Sequence, residues 1–153
     1  LTIEVIEAEA HDFQAVSECV TKLLLELEPK ASEEIEEMGL PEITHDLLRL
    51  SKIAAFVAKA GGDVVGALTL HECAAIYAGG VFGEISELYV EPDFRSKGVG
   101  QLLLNAAHRK AKDLGWTRLE VGTPPVEGSQ KTLRFYMMNG YAGTGIKLRR
   151  LVV

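Results

Sequence analysis

The segment Glu84-Ile85-Ser86-Glu87-Leu88-Tyr89-Val90-Glu91-Pro92-Asp93-Phe94-Arg95-Ser96-Lys97-Gly98-Val99-Gly100-Gln101 changes its periodicity partway along. Glu84 to Val90 is rich in apolar and β-forming residues, and Pro92 with Asp93 marks a turn out of a strand. From Val99 onward, Val99, Leu102, Leu103, Ala106, Ala107 and Leu114 recur at helical spacing, with Lys110 and Lys112 suited to the negative end and Gly115 to the cap. A strand therefore runs through a short glycine-bearing loop into a helix.

Working outward, Thr2 to Ile6 alternates like a strand, and Phe13, Val16, Val20, Leu23, Leu24 and Leu27 give a helix that Pro29 stops. From Ser32, a candidate cap, to Leu50 the pattern is weaker, with a break at Gly39-Leu40-Pro41 and a short helix near Leu47. Ile53 to Ala60 and Val64 to Cys73 form a hairpin about Gly61-Gly62-Asp63. Arg118 to Val121 reads as a strand, Ser129 to Met138 as a helix ending at Asn139-Gly140, and Ile146 to Val153 as a last strand. No linker divides this order, which is that of one mixed α/β domain over residues 1–153.

A chain of 153 residues can bury roughly 70% of its unfolded surface. Its hydrophobic share of 47% and charged share of 25% are those of a globular domain. The net charge of −6 argues against sequence-independent nucleic-acid binding, which needs a basic surface. No apolar run approaches the ~18 residues of a membrane span and no leader pattern opens the chain, so a cytoplasmic setting is expected, with no membrane partner. Cys19 and Cys73 lack metal-ligand spacing, as do His11, His45, His71 and His108, so reduced thiols and no metal are expected. Charge is uneven: Glu26, Glu28, Glu33, Glu34, Glu36 and Glu37 crowd one stretch, while Arg95 to Lys112 holds Arg95, Lys97, Arg109, Lys110 and Lys112 and no carboxylate.

The loop Arg95-Ser96-Lys97-Gly98-Val99-Gly100 suits an anion, because backbone N–H groups at its glycines can approach phosphate at a helix's positive end. Arg95 and Lys97 add charge. A dinucleotide loop would carry Gly-x-Gly-x-x-Gly, and a nucleoside triphosphate loop Gly-Lys followed by Ser or Thr; neither is present.

Taken with Val64-Val65-Gly66, Leu88-Tyr89-Val90-Glu91-Pro92, and Phe135-Tyr136 followed by Asn139-Gly140-Tyr141, this loop resembles that of the GCN5-related N-acetyltransferase family, Arg/Gln-x-x-Gly-x-Gly/Ala. The likeness covers nearly the whole chain. It implies an α/β (α+β) domain with a mixed sheet of roughly six to seven strands and about four helices. It implies acetyl-CoA as co-substrate and transfer of the acetyl group to a primary amine, by direct attack in a ternary complex. Backbone groups of Leu88, Tyr89 and Val90 would hold the pantetheine arm, and Ser96, Lys97, Gly98, Val99, Gly100 and Gln101, with Arg95, the pyrophosphate. Many members have Asn where this chain has Ser129, which also stands at a helix cap.

An alkyl ammonium, pKa near ~10.4, must lose a proton before it can attack a thioester. Glu84 and Glu87 lie on the strand entering the loop, where alternation places them on opposite faces. By position in the family Glu84 is the expected base, with Glu120 on the next strand as the alternative and Glu87 as a further candidate. Tyr136 matches the position of the acid that protonates departing thiolate. The acidic stretch suits a cationic amine, such as a polyamine, an amino sugar or a lysine-bearing peptide. Alternatives are a noncatalytic acetyl-CoA sensor, an acyltransferase for another acyl-CoA, and an interaction module. Relatives often dimerise through late strands, for which Ile146 to Val153 offers an edge.

Overall fold

Gly61 and Gly62 both take positive φ, 58° and 93°, the two-residue turn whose twist matches that of a hairpin. They join β2 (Ala54–Ala60) to β3 (Asp63–Ala75), and β1 (Ile3–Glu7) pairs with the other edge of β2. β3 turns at Gly79 into β4 (Gly80–Val90), from which α4 (Val99–Asp113) leads to the short β5 (Leu119–Val121) beside β4. The sheet order is β1-β2-β3-β4-β5, antiparallel from β1 to β4. Between β1 and β2 lie α1 (Phe13–Leu27), α2 (Ser32–Glu37) and α3 (Leu40–Arg49), and α5 (Gln130–Met138) follows β5.

This computed structural model describes residues 2–124 and 129–152. Two compact units, Leu1–Glu120 and Val121–Val153, are distinguished by their contacts and are described separately.

In the first unit, α1 and α4 cover opposite faces of the sheet. Cys19 of α1 packs with Ala67 and Tyr89, and Val16 with Ala8, Ala55 and Val57. Gly66 faces the other way, where an added Cβ would lie 3.3 Å from Cδ1 of Leu103 in α4 and 2.8 Å from the Tyr89 carbonyl. The backbone contact with β4 is the one that requires glycine here, and the Leu103 contact shows how closely α4 packs over it. Burial pushes the Cys19 thiol up to about 11, so it stays a packed thiol at neutral pH.

Several sequence expectations change. Leu104 and Ala111, rather than Leu102 and Leu114, complete the buried stripe of α4. Ser32 is the first residue of α2, not its cap, and the weak acidic stretch is two helices broken at Gly39, whose φ is 69°. The described residues thus hold five α-helices and five strands rather than about four and six to seven. Ile146 to Val152 forms no strand: its alternating pattern has no ladder, and Ile146 and Val152 are 91% and 96% exposed. A strand needs a hydrogen-bonded neighbour, which alternation cannot supply.

Candidate functional site

The geometry starts from a bulge. β3 and β4 pair Thr69 with Glu87 but Leu70 with Ile85, leaving Ser86 as an extra residue on β4. Thr69 and His71 share one face of β3, and their partners across the ladder are Glu87 and Glu84. Glu84 and Glu87 therefore face the same side of the sheet, contrary to simple alternation, because the inserted residue shifts the phase by one. It is the face on which α1 packs.

Thr69, 1% exposed, donates its hydroxyl to the Glu87 carboxylate and accepts the Glu87 N–H at 3.1 Å. Its neighbour on that face, the half-buried His71, places Nδ1 2.9 Å from Oγ of the bulged Ser86. Glu120 instead pairs with Arg118 at 3.4 Å, and that guanidinium lies 5.5 Å above the Tyr77 ring.

Farther along β4 the ladder alternates so that the Glu91 N–H donates to Val65 at 2.8 Å. By the same alternation Leu88 and Val90, opposite Leu68 and Gly66, aim their N–H and C=O groups away from β3. β5 begins where Gly83 donates to Arg118 and is three residues long, so it cannot reach Leu88. The Leu88 to Val90 end of β4 thus offers backbone donors and an acceptor along an edge.

The chain then turns tightly, Phe94 and Arg95 donating back to Glu91 and Pro92 at 2.8 and 3.2 Å. Ser96 and Gly98 take positive φ, 61° and 85°, and α4 starts with Leu102 donating to Gly98 at 3.1 Å. The preceding N–H groups of Val99, Gly100 and Gln101 have no carbonyl to meet within the helix. No acidic residue stands in this first turn, and nothing lies within 4 Å of a Cβ built at Gly98. Such a turn can accept a pyrophosphate on main-chain donors at a helix's positive end.

Arg95 plays a different part from the one its charge suggests. Its Nε donates to the Val90 carbonyl at 2.7 Å, its Nη2 to Glu26 at 2.5 Å, and its guanidinium lies 5.4 Å over Tyr89. One turn earlier on α1, Lys22 pairs with Glu91, which also accepts the Tyr89 hydroxyl at 3.4 Å. Burial, then the Glu91 charge, raises the Tyr89 pKa. Two ion pairs thus fasten α1 to the loop, and Glu26 belongs to this clamp rather than to an acidic surface. Sequence reasoning missed it, although Lys22/Glu26 and Glu91/Arg95 carry matching opposite charges at the same four-residue spacing. Lys97 is carried outward, its ammonium 5.6 Å from the Phe94 ring.

In the second unit, Tyr136 is 5% exposed, with its ring 5.3 Å from Phe135 and 5.4 Å from Tyr141. Burial raises its pKa far above the ordinary ~10, and that of Tyr141 to about 12, so both hydroxyls are neutral donors at physiological pH. Ser129 stands at the start of α5, but its hydroxyl donates to the Pro124 carbonyl at 3.0 Å instead of capping the helix. The structure therefore gathers Glu84, Glu87 and Leu88 to Gln101 in the first unit, whereas Ser129 and Tyr136 belong to the second. Among the described residues no His, Cys, Asp and Glu come together as a metal-binding group, and no helix is long and apolar enough to cross a membrane.

Comparison with known proteins bears on this geometry. Among curated proteins, the aminoalkylphosphonate N-acetyltransferase of Salmonella typhimurium (strain LT2) is 34% identical over 80 residues, 52% of this chain and 51% of that protein. The chain thus matches about half the length of this curated relative. A GCN5-related N-acetyltransferase from Ralstonia eutropha JMP134 has the same fold, with a TM-score of 0.82 at 17% identity over 98% of this chain and 99% of that one. So does an aminoglycoside acetyltransferase from an uncultured soil metagenomic sample, in complex with sisomicin, with a TM-score of 0.77 at 17% identity over 99% and 97%. The model of the Acetyltransferase (GNAT) family matches residues 20–141, from within α1 through the strand, loop and helix to Tyr141, and the chain belongs to that family.

Proposed function

We propose that this protein transfers the acetyl group of acetyl-CoA to a primary amine by direct attack. The observation that carries the reading is the edge at Leu88 and Val90 running into the positive-φ turn at Ser96 and Gly98 before α4. On this reading Ser96 to Gln101 hold the pyrophosphate through main-chain N–H groups, while Leu88, Tyr89 and Val90 align the pantetheine arm. Arg95 secures the loop through Glu26 and the Val90 carbonyl. Ser129 would be a peripheral cofactor contact.

The amine nitrogen attacks the thioester carbonyl, a backbone N–H near Leu88 steadies the oxyanion, and as the C–S bond breaks the second proton shed by the new amide nitrogen ends on sulfur, giving the amide and CoA thiol. Glu84 takes the ammonium proton, with Glu87 and Glu120 as the other carboxylates considered. Thr69 engages Glu87 and Arg118 engages Glu120. Tyr136 serves sulfur as a hydrogen-bond donor: its raised pKa keeps the proton on oxygen until negative charge has built up on the leaving group.

For the acceptor we propose a cationic small molecule or peptide amine, entering near the groove of about 500 Å³ that Thr21, Leu25, Ile35, Leu40, Glu36 and Glu42 line between α1, α2 and α3. The exposed Glu33, Glu34 and Glu37 of α2 supply the attracting field. A cytoplasmic homodimer completes the proposal. The exposed Ile146, Leu148, Leu151 and Val152 are apolar area that a second copy could cover, and sizing chromatography tests it.

The test is thiol release from acetyl-CoA across a panel of polyamines, amino sugars, lysine peptides and an aminoalkylphosphonate, with calorimetry of CoA binding. Binding with turnover of an amine supports the proposal. Binding without turnover turns it into a sensor, preference for succinyl-CoA into another acyltransferase, and no CoA binding ends it.

A further inference from the structure

The bulge in β4 brings Ser86 and His71, which have no part in the transfer described so far, to the face that carries Glu84 and Glu87. Ser86, pushed out of the ladder, sits 2.9 Å from Nδ1 of His71, and the residue opposite His71 is Glu84. Thr69 holds the Glu87 carboxylate one position away on the same face. We propose that His71, oriented by Ser86, is the group that takes the proton from the acceptor ammonium. This rests on the acetyl-transfer reading and replaces Glu84 as base within it.

The chemistry favours an imidazole. A neutral ring held by one nitrogen presents a directed lone pair on the other, which is the geometry that taking a proton from an ammonium requires. With its proton on Nδ1, the ring donates to Ser86 Oγ and carries its lone pair on Nε2. The ammonium gives one proton to Nε2, the nitrogen lone pair forms the C–N bond, and the C–S electron pair leaves on sulfur. Of the two remaining nitrogen protons one stays in the amide and the other is passed to sulfur, so the products are amide, CoA thiol and an imidazolium that solvent discharges. Glu84, across the ladder, stabilises that imidazolium.

Among the described residues, β4 presents Glu84 and Glu87 to this face, and β3 presents Thr69 and Cys73 beside His71. β2 starts at Ala54, opposite Leu70, and contributes Ala55 and Val57 there. α1, packed on the same face, carries Glu18, Lys22 and Glu26, of which Lys22 and Glu26 pair with Glu91 and Arg95 at the loop.

The test compares kcat/KM against pH for wild type, His71→Gln, Ser86→Ala and Glu84→Gln on one amine. His71→Gln should lower kcat/KM by about a hundredfold and remove the acid limb while the KM for acetyl-CoA holds. Ser86→Ala should keep the limb at a reduced rate. If His71→Gln retains both rate and limb while Glu84→Gln loses them, His71 is refuted and acetyl transfer stands. If wild type acetylates no amine, both fall. Imidazole nitrogen NMR gives a readout without substrate: a proton on Nδ1 in wild type that redistributes in Ser86→Ala is expected, and a neutral ring protonated on Nε2 in wild type overturns the proposal.

Discussion

Replacing Thr69 with Val keeps the shape of a fully buried side chain and removes its hydroxyl. That hydroxyl both receives the Glu87 N–H at 3.1 Å and donates to the Glu87 carboxylate. The N–H then loses this side-chain acceptor beside the bulge, and the carboxylate loses a charge-assisted bond of about 1.5–3 kcal/mol. Glu87 is half-buried, so water restores part of the second term, and a net destabilisation of roughly 2 kcal/mol is expected. For a chain of this size that lowers Tm by about 4–8 °C. Urea unfolding should show an earlier midpoint at unchanged slope. Thr69→Ser, which keeps the hydroxyl, should lose much less. A Thr69→Val protein within about 0.5 kcal/mol of wild type would show that the pairing does not hold the bulge.

Gly83→Ala would place a Cβ 2.3 Å from Cζ3 of Trp116, whose Nε1 donates to Glu72, so a loss of about 3 kcal/mol and a red-shifted tryptophan emission are expected. Glu26→Gln removes one arm of the clamp from a pair that is 44% and 42% exposed, so stability should change by less than ~1 kcal/mol while the KM for acetyl-CoA rises by roughly threefold. A fall in that KM would mean that Glu26 competes for Arg95 instead of placing it. Tyr136→Phe should preserve CoA affinity and lower kcat, measured under conditions where chemistry limits the rate. Because burial raises the folded-state pKa of Tyr136 above its unfolded ~10, its contribution to stability is complete below pH ~10 and lost as pH climbs toward the folded value. Tyr136→Phe should therefore flatten the alkaline decline seen in thermal melts, and an identical decline would contradict the assigned burial.

The fold was legible wherever local patterning decides structure. The helical stripe before Pro29, the paired glycines at 61 and 62, and the strand, loop and helix around Gly98 all encode their conformation in adjacent residues. The bulge at Ser86 was not legible: which residue slips out of a ladder depends on the partner strand, and no composition within Glu84 to Val90 announces it. Alternation therefore put Glu84 and Glu87 on opposite faces. Arg95 was recognised as basic, but its commitment to Glu26, 69 residues away, depends on how α1 lies against the sheet. His71 looked isolated for the same reason, since Ser86 and Glu84 join it only across the ladder. The last strand failed because alternation marks a capacity for pairing and does not provide a neighbour.

The pairs Lys22–Glu91 and Glu26–Arg95 alter how a salt titration of the proposed transfer has to be interpreted. Added ions that screen an approaching cationic amine also weaken these half-exposed pairs, so the same experiment loosens the donor loop while it weakens acceptor encounter. A rate that falls with ionic strength is then ambiguous until the two substrates are varied separately. Encounter with the amine should govern kcat/KM for the acceptor, whereas the clamp should govern the dissociation constant of acetyl-CoA alone. Glu26→Gln removes the pair with Arg95 while leaving Arg95 on the Val90 carbonyl, so the dissociation constant of acetyl-CoA should respond less steeply to salt than in wild type.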